Sequence, residues 1–563
     1  MTSPDQAKVL ILDGHARAAA ESVLSLPKSC VLHVAAVEHD ALAFASPRVA
    51  CALAQPANVA ALREWLLALD RRERYDLILC STEASLLALK SDRLDPRVRA
   101  KAVLPGEPSL DIALNKQRTT ELARSLGIKT PSETLVTADS EKSAPEPAYP
   151  VVVKPLRSKI ALADGVKSLD PRICADAGER KAALAAILPL TPVVEQEYFR
   201  GRGIGIEMLF ERGRPRWCFA HERLHELPVT GGASSYRCAI EPPPELLGAA
   251  TKLLAHLHWH GVAMVEFKLA EDGDYRLLEI NPRLWGSLPL ATAAGVNFPL
   301  GLLKIALGQP LEPQPHYRRG MRARNLGADA RWFVQAWRQR RSPLLVSPLR
   351  VRDFIALLRP LAGGERWDLF RWREPRLCWK ALREAMPRAQ GAGPARDARA
   401  NWRKLRASWR NRRIRRVLVL CYGNICRSPV VAALLQSCAK DVEIVSAGFH
   451  AQARRRMPDD WANVVEQTTG MRLDDHRSRV VDAALIEWAD LIIVMDTANW
   501  RMLARTHRHA ITKAVLLGVA ATGRGARAEI ADPYTLDESG MRPIATTLQR
   551  CVDDLVKQRS ANV

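Results

Sequence analysis

The sequence predicts a multidomain α/β protein, on three observations. The chain has 563 residues, too long for one core, so roughly three to four units are expected. Short apolar runs alternate with Ala/Leu/Arg-rich helical stretches near both ends, the pattern of layered α/β units. The net charge of +22 is uneven: residues 318–416 hold 28 Lys plus Arg against 7 Asp plus Glu. Both flanks are therefore near neutral, and the excess marks one segment, not a protein that is basic throughout. Apolar residues make up 47%, yet no uninterrupted run approaches the ~18–20 residues that span a bilayer. The start, MTSPDQAKVLILDG, lacks the basic stretch, apolar segment and cleavage site of a secretory signal. Eleven cysteines without paired spacing suit reduced thiols, so a cytoplasmic address is expected.

Taken in order, residues 1–105 carry apolar runs at 9–12, 31–36 and 77–80 between helical stretches, a small α/β layer. No glycine fingerprint follows the first run, which argues against dinucleotide binding there. Residues 106–312 read as mixed helices and strands. Residues 313–415 turn Arg-rich and hold seven of the 14 Trp, with breakers at Pro343, Pro348, Pro360, Gly363 and Gly364. This segment reads as a basic helical connector ending in a linker at 388–400. Its short amphipathic stretches, Arg beside Trp, fit three roles. In descending order these are docking of one unit to the other, an anionic membrane surface with peripheral attachment, and nucleic acid as the weakest fit. After Arg416 the α/β pattern resumes, to 563.

Residues 417–420 form an apolar strand, followed by Cys421-Tyr422-Gly423-Asn424-Ile425-Cys426-Arg427-Ser428-Pro429 and a helical run. Strand, loop and helix lay out a phosphate cradle, in which backbone N–H groups and the helix N-terminus converge on an oxyanion. A thiolate at Cys421 can attack phosphorus, and Arg427 can fork two phosphoryl oxygens. Gly423 permits the tight loop. The loop resembles the signature of the low-molecular-weight protein tyrosine phosphatases. Val445-Ser446-Ala447-Gly448, His476-Arg477-Ser478-Arg479, Ala489-Asp490-Leu491-Ile492-Ile493-Val494-Met495 and Asp532-Pro533-Tyr534 follow in that family's order. The resemblance implies a flavodoxin-like, doubly wound parallel sheet with no cofactor. It makes Asp532 the general acid and then base, and Ser428 the support of the leaving thiolate. Asn424, Ser446 and His476 become the network behind the loop, Tyr534 a wall against an aromatic substrate, and Cys426 either a reversible disulfide partner for Cys421 or a packing residue. The substrate it implies is a phosphotyrosyl protein. Thr535 in place of a second aromatic, and the basic run 449–456, widen this to a small or acidic phosphomonoester.

Glu271-Asp272-Gly273-Asp274 marks a hairpin turn between strands near 264–269 and 275–281. A two- or four-residue loop sets Glu266 opposite Glu279, and Val265 and Phe267 opposite Ile280 and Leu278. Opposed carboxylates call for a cation, and Asn281 adds an oxygen on the same face, so magnesium, or manganese in its place, is expected at Glu266, Glu279 and Asn281. Lys154, on the buried run 150–155, suits nucleotide phosphates, and 194–199, with Glu195 and Glu197, reads as a hinge against adenine. With Asn115-Lys116 and Glu279-Ile280-Asn281-Pro282-Arg283, these resemble the ATP-grasp superfamily, particularly its carbamoyl-phosphate-synthase-like carboxylate ligases. The resemblance implies a pre-ATP-grasp layer plus two α+β subdomains, with Lys116 and Lys154 on ATP phosphates and Arg283 on the transferred phosphate or substrate carboxylate. The implied reaction joins a carboxylate to an amine through an acyl phosphate; a phosphatase governed by a non-catalytic nucleotide sensor is the alternative. Gly203 departs from relatives that carry an acid near the ribose, with Glu207 as the substitute. Glycines 201, 203 and 205 read as loop geometry, and His221, His225, His256, His258 and His260 as surface or core residues.

Overall fold

The structure is a computed structural model. It describes residues 6–560 apart from 91–93, 138–145, 157–158, 163–164, 341, 343, 345–348, 357–364, 386–391, 451, 523–528, 535 and 537. Thr535 thus lies outside the described residues. The chain forms two compact units, Met1–Pro387 and Arg388–Val563.

The first unit opens with a four-stranded parallel sheet in the order Val49–Ala54, Val31–Ala36, Lys8–Ile11, Leu77–Leu79. A second sheet follows, antiparallel, in the order Glu133–Val136, Val193–Glu197, Val151–Pro155, Arg172–Cys174. The largest sheet has seven strands: Tyr275–Asn281, Gly261–Leu269, Arg202–Glu211, Arg214–Leu227, Ala233–Ile240, Arg322–Arg324 and Glu365–Trp367. Alternation along Arg202–Glu211 sorts its residues: Ile204, Ile206, Met208 and Phe210 enter one core, while Leu209 enters the other with Trp217, Phe219 and Met264. Gly203 and Gly205 are strand residues here, not loop. A Cβ on Gly205 would lie 2.4 Å from His221 Cε1, and one on Gly203 2.7 Å from Arg223 Cδ, so the missing side chains make room across the strand.

The segment read as a basic connector is divided between the units. Arg322–Arg324 and Glu365–Trp367 extend the large sheet, and Arg324 is buried. Its Nε donates to Glu365 at 2.7 Å, its Nη1 pairs with Asp329, and its guanidinium lies 3.7 Å from the Tyr236 ring centroid. Composition records a cation but not its partner, so the buried pairs of this segment do not show in its charge count. The stretch read as a linker is helical from Ala392 to Arg410 and packs Ala398, Trp402 and Trp409 into the core of the second unit.

The second unit is built on a parallel sheet in the order Glu443–Gly448, Arg416–Cys421, Leu491–Val494, Ala514–Leu516, with helices Arg427–Cys438, Asp459–Thr469 and Glu538–Ser560 among those around it. Among the described residues no single helix is long and apolar enough to cross a membrane.

Candidate active sites

The strand Arg416–Cys421 is central in its sheet and ends at Cys421, which is buried. The chain then turns sharply through Asn424, at φ 50°, and enters the helix Arg427–Cys438. The left-handed turn aims the Asn424 N–H back at Cys421 Sγ, 3.2 Å away, and the first helical turn brings Ser428 Oγ to 3.0 Å from the same sulfur. Asn424 anchors the loop from behind. Its Nδ2 donates to Ser428 Oγ (3.0 Å) and Ser446 Oγ (2.9 Å), its Oδ1 accepts from Arg479 N (2.7 Å), and its carbonyl lies 2.7 Å from His476 Nε2. Burial holds His476 below the usual imidazole range, so the neutral ring donates to that carbonyl. Gly448 is needed for close approach: a Cβ there would sit 2.7 Å from Tyr422 O and 2.8 Å from Asn424 N.

Arg427 is buried. Its Nη2 donates to Asp532 Oδ2 at 2.5 Å, and its Nη1 donates to Asp496 Oδ2 at 2.6 Å and to Ile530 O at 2.8 Å. The predicted Cys421, Arg427, Ser428 and Asp532 therefore meet in one place. Asp496 was missed, although it stands one residue past the quoted 489–495 motif, where a strand end followed by Asp-Thr signals a helix cap. Arg455, expected only as part of the basic run 449–456, donates from Nη2 to Gly423 O at 2.7 Å, tying that run to the cradle. Tyr422 and Tyr534 are 42% and 58% exposed, aromatic surface beside the mouth. Cys421 and Cys426 are free thiols, and burial pushes the Cys426 thiol up.

In the first unit Glu266 pairs directly with Glu279, and Val265 with Ile280, in the expected register. Phe267, however, faces Leu277 and not Leu278. The turn is a three-residue loop, with Ala270 N donating to Asp274 O (2.8 Å) and Gly273 at φ 88°; the register slips by one at the Glu266/Phe267 step, where Leu278 is the extra residue. Asn281 Nδ2 donates to Glu266 Oε1 (2.9 Å) and Glu279 Oε1 (3.1 Å), and Arg223 pairs with Glu266. Burial opposes ionisation of Glu279, but Lys116, Lys154 and Asn281 outweigh it and hold the carboxyl below its usual range. Lys154, on the strand Val151–Pro155, is buried and donates to Gln196 Oε1 at 2.5 Å; burial pulls its ammonium down to about 8 against the attraction of Glu279.

The hinge residues divide. Gln196, within the expected hinge but given no role of its own there, faces Lys154, while Glu195 is turned to Arg180 at 2.5 Å. Glu197 accepts from Ser132 N and Oγ, both 3.2 Å, on the edge of an open cleft of about 630 Å³ shared with Arg124, Lys129 and Arg276. Arg283 Nη2 reaches Asn281 Oδ1 at 3.4 Å. Glu207 is fully buried, bonded by Ser287 Oγ (2.8 Å) and 3.0 Å from His221, and so is not at a ligand-facing edge. His221 and His225 are core residues, His225 stacked on Trp332 with centroids 3.5 Å apart.

Two oxygen-rich carboxylates with an adjacent amide form a donor set suited to a hard divalent cation, with two lysines nearby for phosphate. The amide orientation is interchangeable, so rotating Asn281 turns Oδ1 toward the carboxylates.

Comparison with known proteins follows the same division. Residues 416–563 match the model of the low molecular weight phosphotyrosine protein phosphatases, and residues 190–328 match that of an ATP-grasp in the biosynthetic pathway with Ter operon. EpsP of Ralstonia nicotianae, a low molecular weight protein-tyrosine-phosphatase by its description, is 34% identical over 141 residues, 25% of this chain and 92% of its own. The low molecular weight protein-tyrosine-phosphatase Ptp of Acinetobacter johnsonii is 30% identical over 141 residues, 25% of this chain and 95% of its own. A solved L-amino acid ligase from Bacillus licheniformis is 18% identical across 54% of this chain and 75% of its own, with a TM-score of 0.39. Near-complete coverage of such relatives, on a unit whose cysteine, arginine and aspartate already converge, means that this chain belongs through its C-terminal unit to the low molecular weight phosphotyrosine protein phosphatase family, with residues 190–328 of the first unit matching an ATP-grasp model.

Proposed function

We propose that the C-terminal unit hydrolyses a phosphotyrosyl protein or a small phosphomonoester through a cysteinyl-phosphate. The Cys421 thiolate attacks phosphorus; the bond to the ester oxygen breaks, and protonated Asp532 gives that oxygen its proton, releasing the alcohol or phenol. Asp532, now a carboxylate, takes a proton from water as the water attacks the thiophosphate. Phosphate leaves and Ser428 Oγ supports the departing thiolate. Arg427, held from behind by Asp496, exchanges its bond to Asp532 for two phosphoryl oxygens, which frees Asp532 for the ester oxygen. Tyr534 and Tyr422 flank an aromatic leaving group. The observation carrying this reading is the 3.0 Å Ser428 and 3.2 Å Asn424 contacts on one sulfur beside a buried guanidinium. Hydrolysis of p-nitrophenyl phosphate tests it: Cys421→Ser should abolish turnover, and Asp532→Asn should slow leaving-group departure while still binding phosphate. Turnover by Cys421→Ser at the unaltered rate would refute it.

For the first unit we infer that ATP is bound with its phosphates on Lys116 and Lys154, adenine against the hinge at Gln196 and Glu197, and magnesium or manganese on Glu266, Glu279 and Asn281. Bound there, the metal would neutralise phosphate charge during phosphoryl transfer. Arg283 would meet the transferred group or the acid substrate, and Arg223 pairs with Glu266. The class of reaction supported is ligation of a carboxylate to an amine. Incubating the protein with magnesium-ATP and a metabolite extract should release ADP and yield a new condensed mass, both lost in Glu279→Ala. ATP altering the phosphatase rate without ADP release would instead support a sensor.

A further inference from the structure

Outside both sites, one cavity of the first unit joins an apolar lining to an unevenly balanced set of buried charges. It encloses about 270 Å³ between Trp367, Phe370, Trp372, Trp379 and Leu382, with Arg17, Asp368 and Arg371 in the same lining. Phe370 contacts Trp367 and Trp372 edge-on, at centroid distances of 5.6 and 5.2 Å, so three rings form one wall. Trp372 and Trp379 are nonetheless 88% and 62% exposed. Contiguous aromatic surface left in water is unfavourable by ~25 cal/mol per Å², and such patches mark binding sites.

The charges set the sign of the occupant. Asp368, its side chain 1% exposed, accepts from Arg237 Nη2 through Oδ1 at 2.6 Å. Its Oδ2 has no hydrogen-bond partner among the described residues and lies 3.8 Å from Arg17 Nη1. Arg371 pairs with the fully buried Glu21 at 3.1 Å. Three guanidiniums therefore share two carboxylates, and Arg17 holds the longest contact. Glu384 also acts on Arg17 at longer range, but Arg331 on Arg17 and Arg366 on Glu21 add two more guanidiniums, so five cations stand against three acids and the local excess is positive.

We propose that this cavity binds an amphiphilic anion, its alkyl or aromatic body against Trp367, Trp372 and Trp379 and its carboxylate or phosphate on Arg17. An uncharged ligand would leave Arg17 under-paired in a half-apolar cavity, and a cationic one would meet two like charges. The volume falls below the ~300–1,000 Å³ of drug-sized sites, which suits one short chain or one ring system. A free acid and the headgroup end of an anionic lipid share this chemistry.

Calorimetric titration of the full chain with decanoate below its micellar range tests the proposal, with decanol and acetate as the apolar and anionic halves alone. Decanoate should bind at one equivalent, at least tenfold tighter than either half. Trp379→Ser, at a largely exposed position, and Arg17→Gln should each weaken it about tenfold. Trp379→Ser should leave p-nitrophenyl phosphate hydrolysis unchanged, and Glu279→Ala should leave decanoate binding unchanged, which separates this site from the ATP site. Co-sedimentation with phosphatidylglycerol vesicles, lost in Trp379→Ser, assigns the anion to a lipid; decanoate binding without vesicle binding assigns it to a soluble acid. Decanol or acetate binding as tightly as decanoate, equal decanoate affinity in Trp379→Ser, or binding of neither decanoate nor vesicles overturns the proposal.

Discussion

Arg427 faces two acids with different duties. Asp532 is half-exposed and belongs to the chemistry at the mouth, whereas Asp496 sits deeper and also caps the helix Thr497–Thr506 by accepting from Asn499 N at 2.7 Å. Asp496 thus fixes the guanidinium from the side away from substrate. Asp496→Asn keeps the cap oxygen and removes the charge, so p-nitrophenyl phosphate turnover should fall on the order of tenfold to a hundredfold, ~1.4 kcal/mol per decade, with little loss of melting temperature. An equal kcat in this variant would show that Arg427 is held well enough without it. Lys154 gives a second prediction. Its ammonium, brought down to about 8 by burial, is charged below that pH and neutral above it. Polyphosphate favours the charged form, so ATP affinity should rise as pH falls through 8, and binding at pH 8.5 should take up a fraction of a proton. Calorimetry in buffers of different ionisation enthalpy measures the uptake, which should vanish in Lys154→Met.

At the scale of elements, the hairpin carrying Glu266 and Glu279 shows how far a sequence can be read. Alternation and an Asp-Gly turn were enough to oppose the two carboxylates, because an inward Val265 and Ile280 fix the face. The three-residue loop and the slip at Leu278 were not legible, since two single-residue departures cancel at the Glu266 position and leave the pattern there unchanged. Glycines 203 and 205 were misplaced for a related reason: their role is to leave space for side chains of the next strand, which a linear pattern does not record. Gly205 also pairs directly with Glu266, so it joins the site to the sheet beneath it. Gly205→Ala, with its Cβ 2.4 Å from His221 Cε1, should destabilise the first unit by ~1–3 kcal/mol through overpacking. Gly273→Ala, strained at φ 88° but with nothing within 4 Å of the new Cβ, should cost about 1 kcal/mol. Denaturant midpoints would rank the two. The reverse order would mean that His221 moves aside without loss. The phosphatase loop was far more legible, because strand, seven-residue cradle and helix are contiguous in the chain. The arginine pairs of residues 322–371 were not: Glu365 and Glu21 reach Arg324 and Arg371 only through the fold, and Asp329, five residues past Arg324, faces it only once the strand Arg322–Arg324 has turned into the helix Leu326–Arg338.

For the whole molecule, the boundary of the phosphatase unit is the open structural matter, and the helix Ala392–Arg410 decides it. EpsP aligns over nearly its whole length with about a quarter of this chain, and the family match begins at 416, so the helix is an addition to what such relatives share. Yet it supplies Ala398, Trp402 and Trp409 to the same core as the central strand. Trp409 is fully buried, donates from Nε1 to Leu555 O at 2.9 Å and lies under the Arg559 guanidinium, 4.6 Å from its ring centroid. Asn401 Nδ2 donates to Ile511 O and Ala514 O, capping the end of the last sheet strand. Losing one buried Trp costs ~3–5 kcal/mol, and two such losses rival the ~5–15 kcal/mol that holds an ordinary domain together. We therefore expect residues 388–563 to fold alone and hydrolyse p-nitrophenyl phosphate within about twofold of the full chain, while residues 416–563 aggregate or melt far lower. If the shorter piece instead folds with the same melting temperature and rate, the relatives' arrangement suffices and the helix only rests on a finished core. Calorimetric melting of both pieces, with the rate measured on each, distinguishes a core that has come to depend on its extension from one that merely carries it.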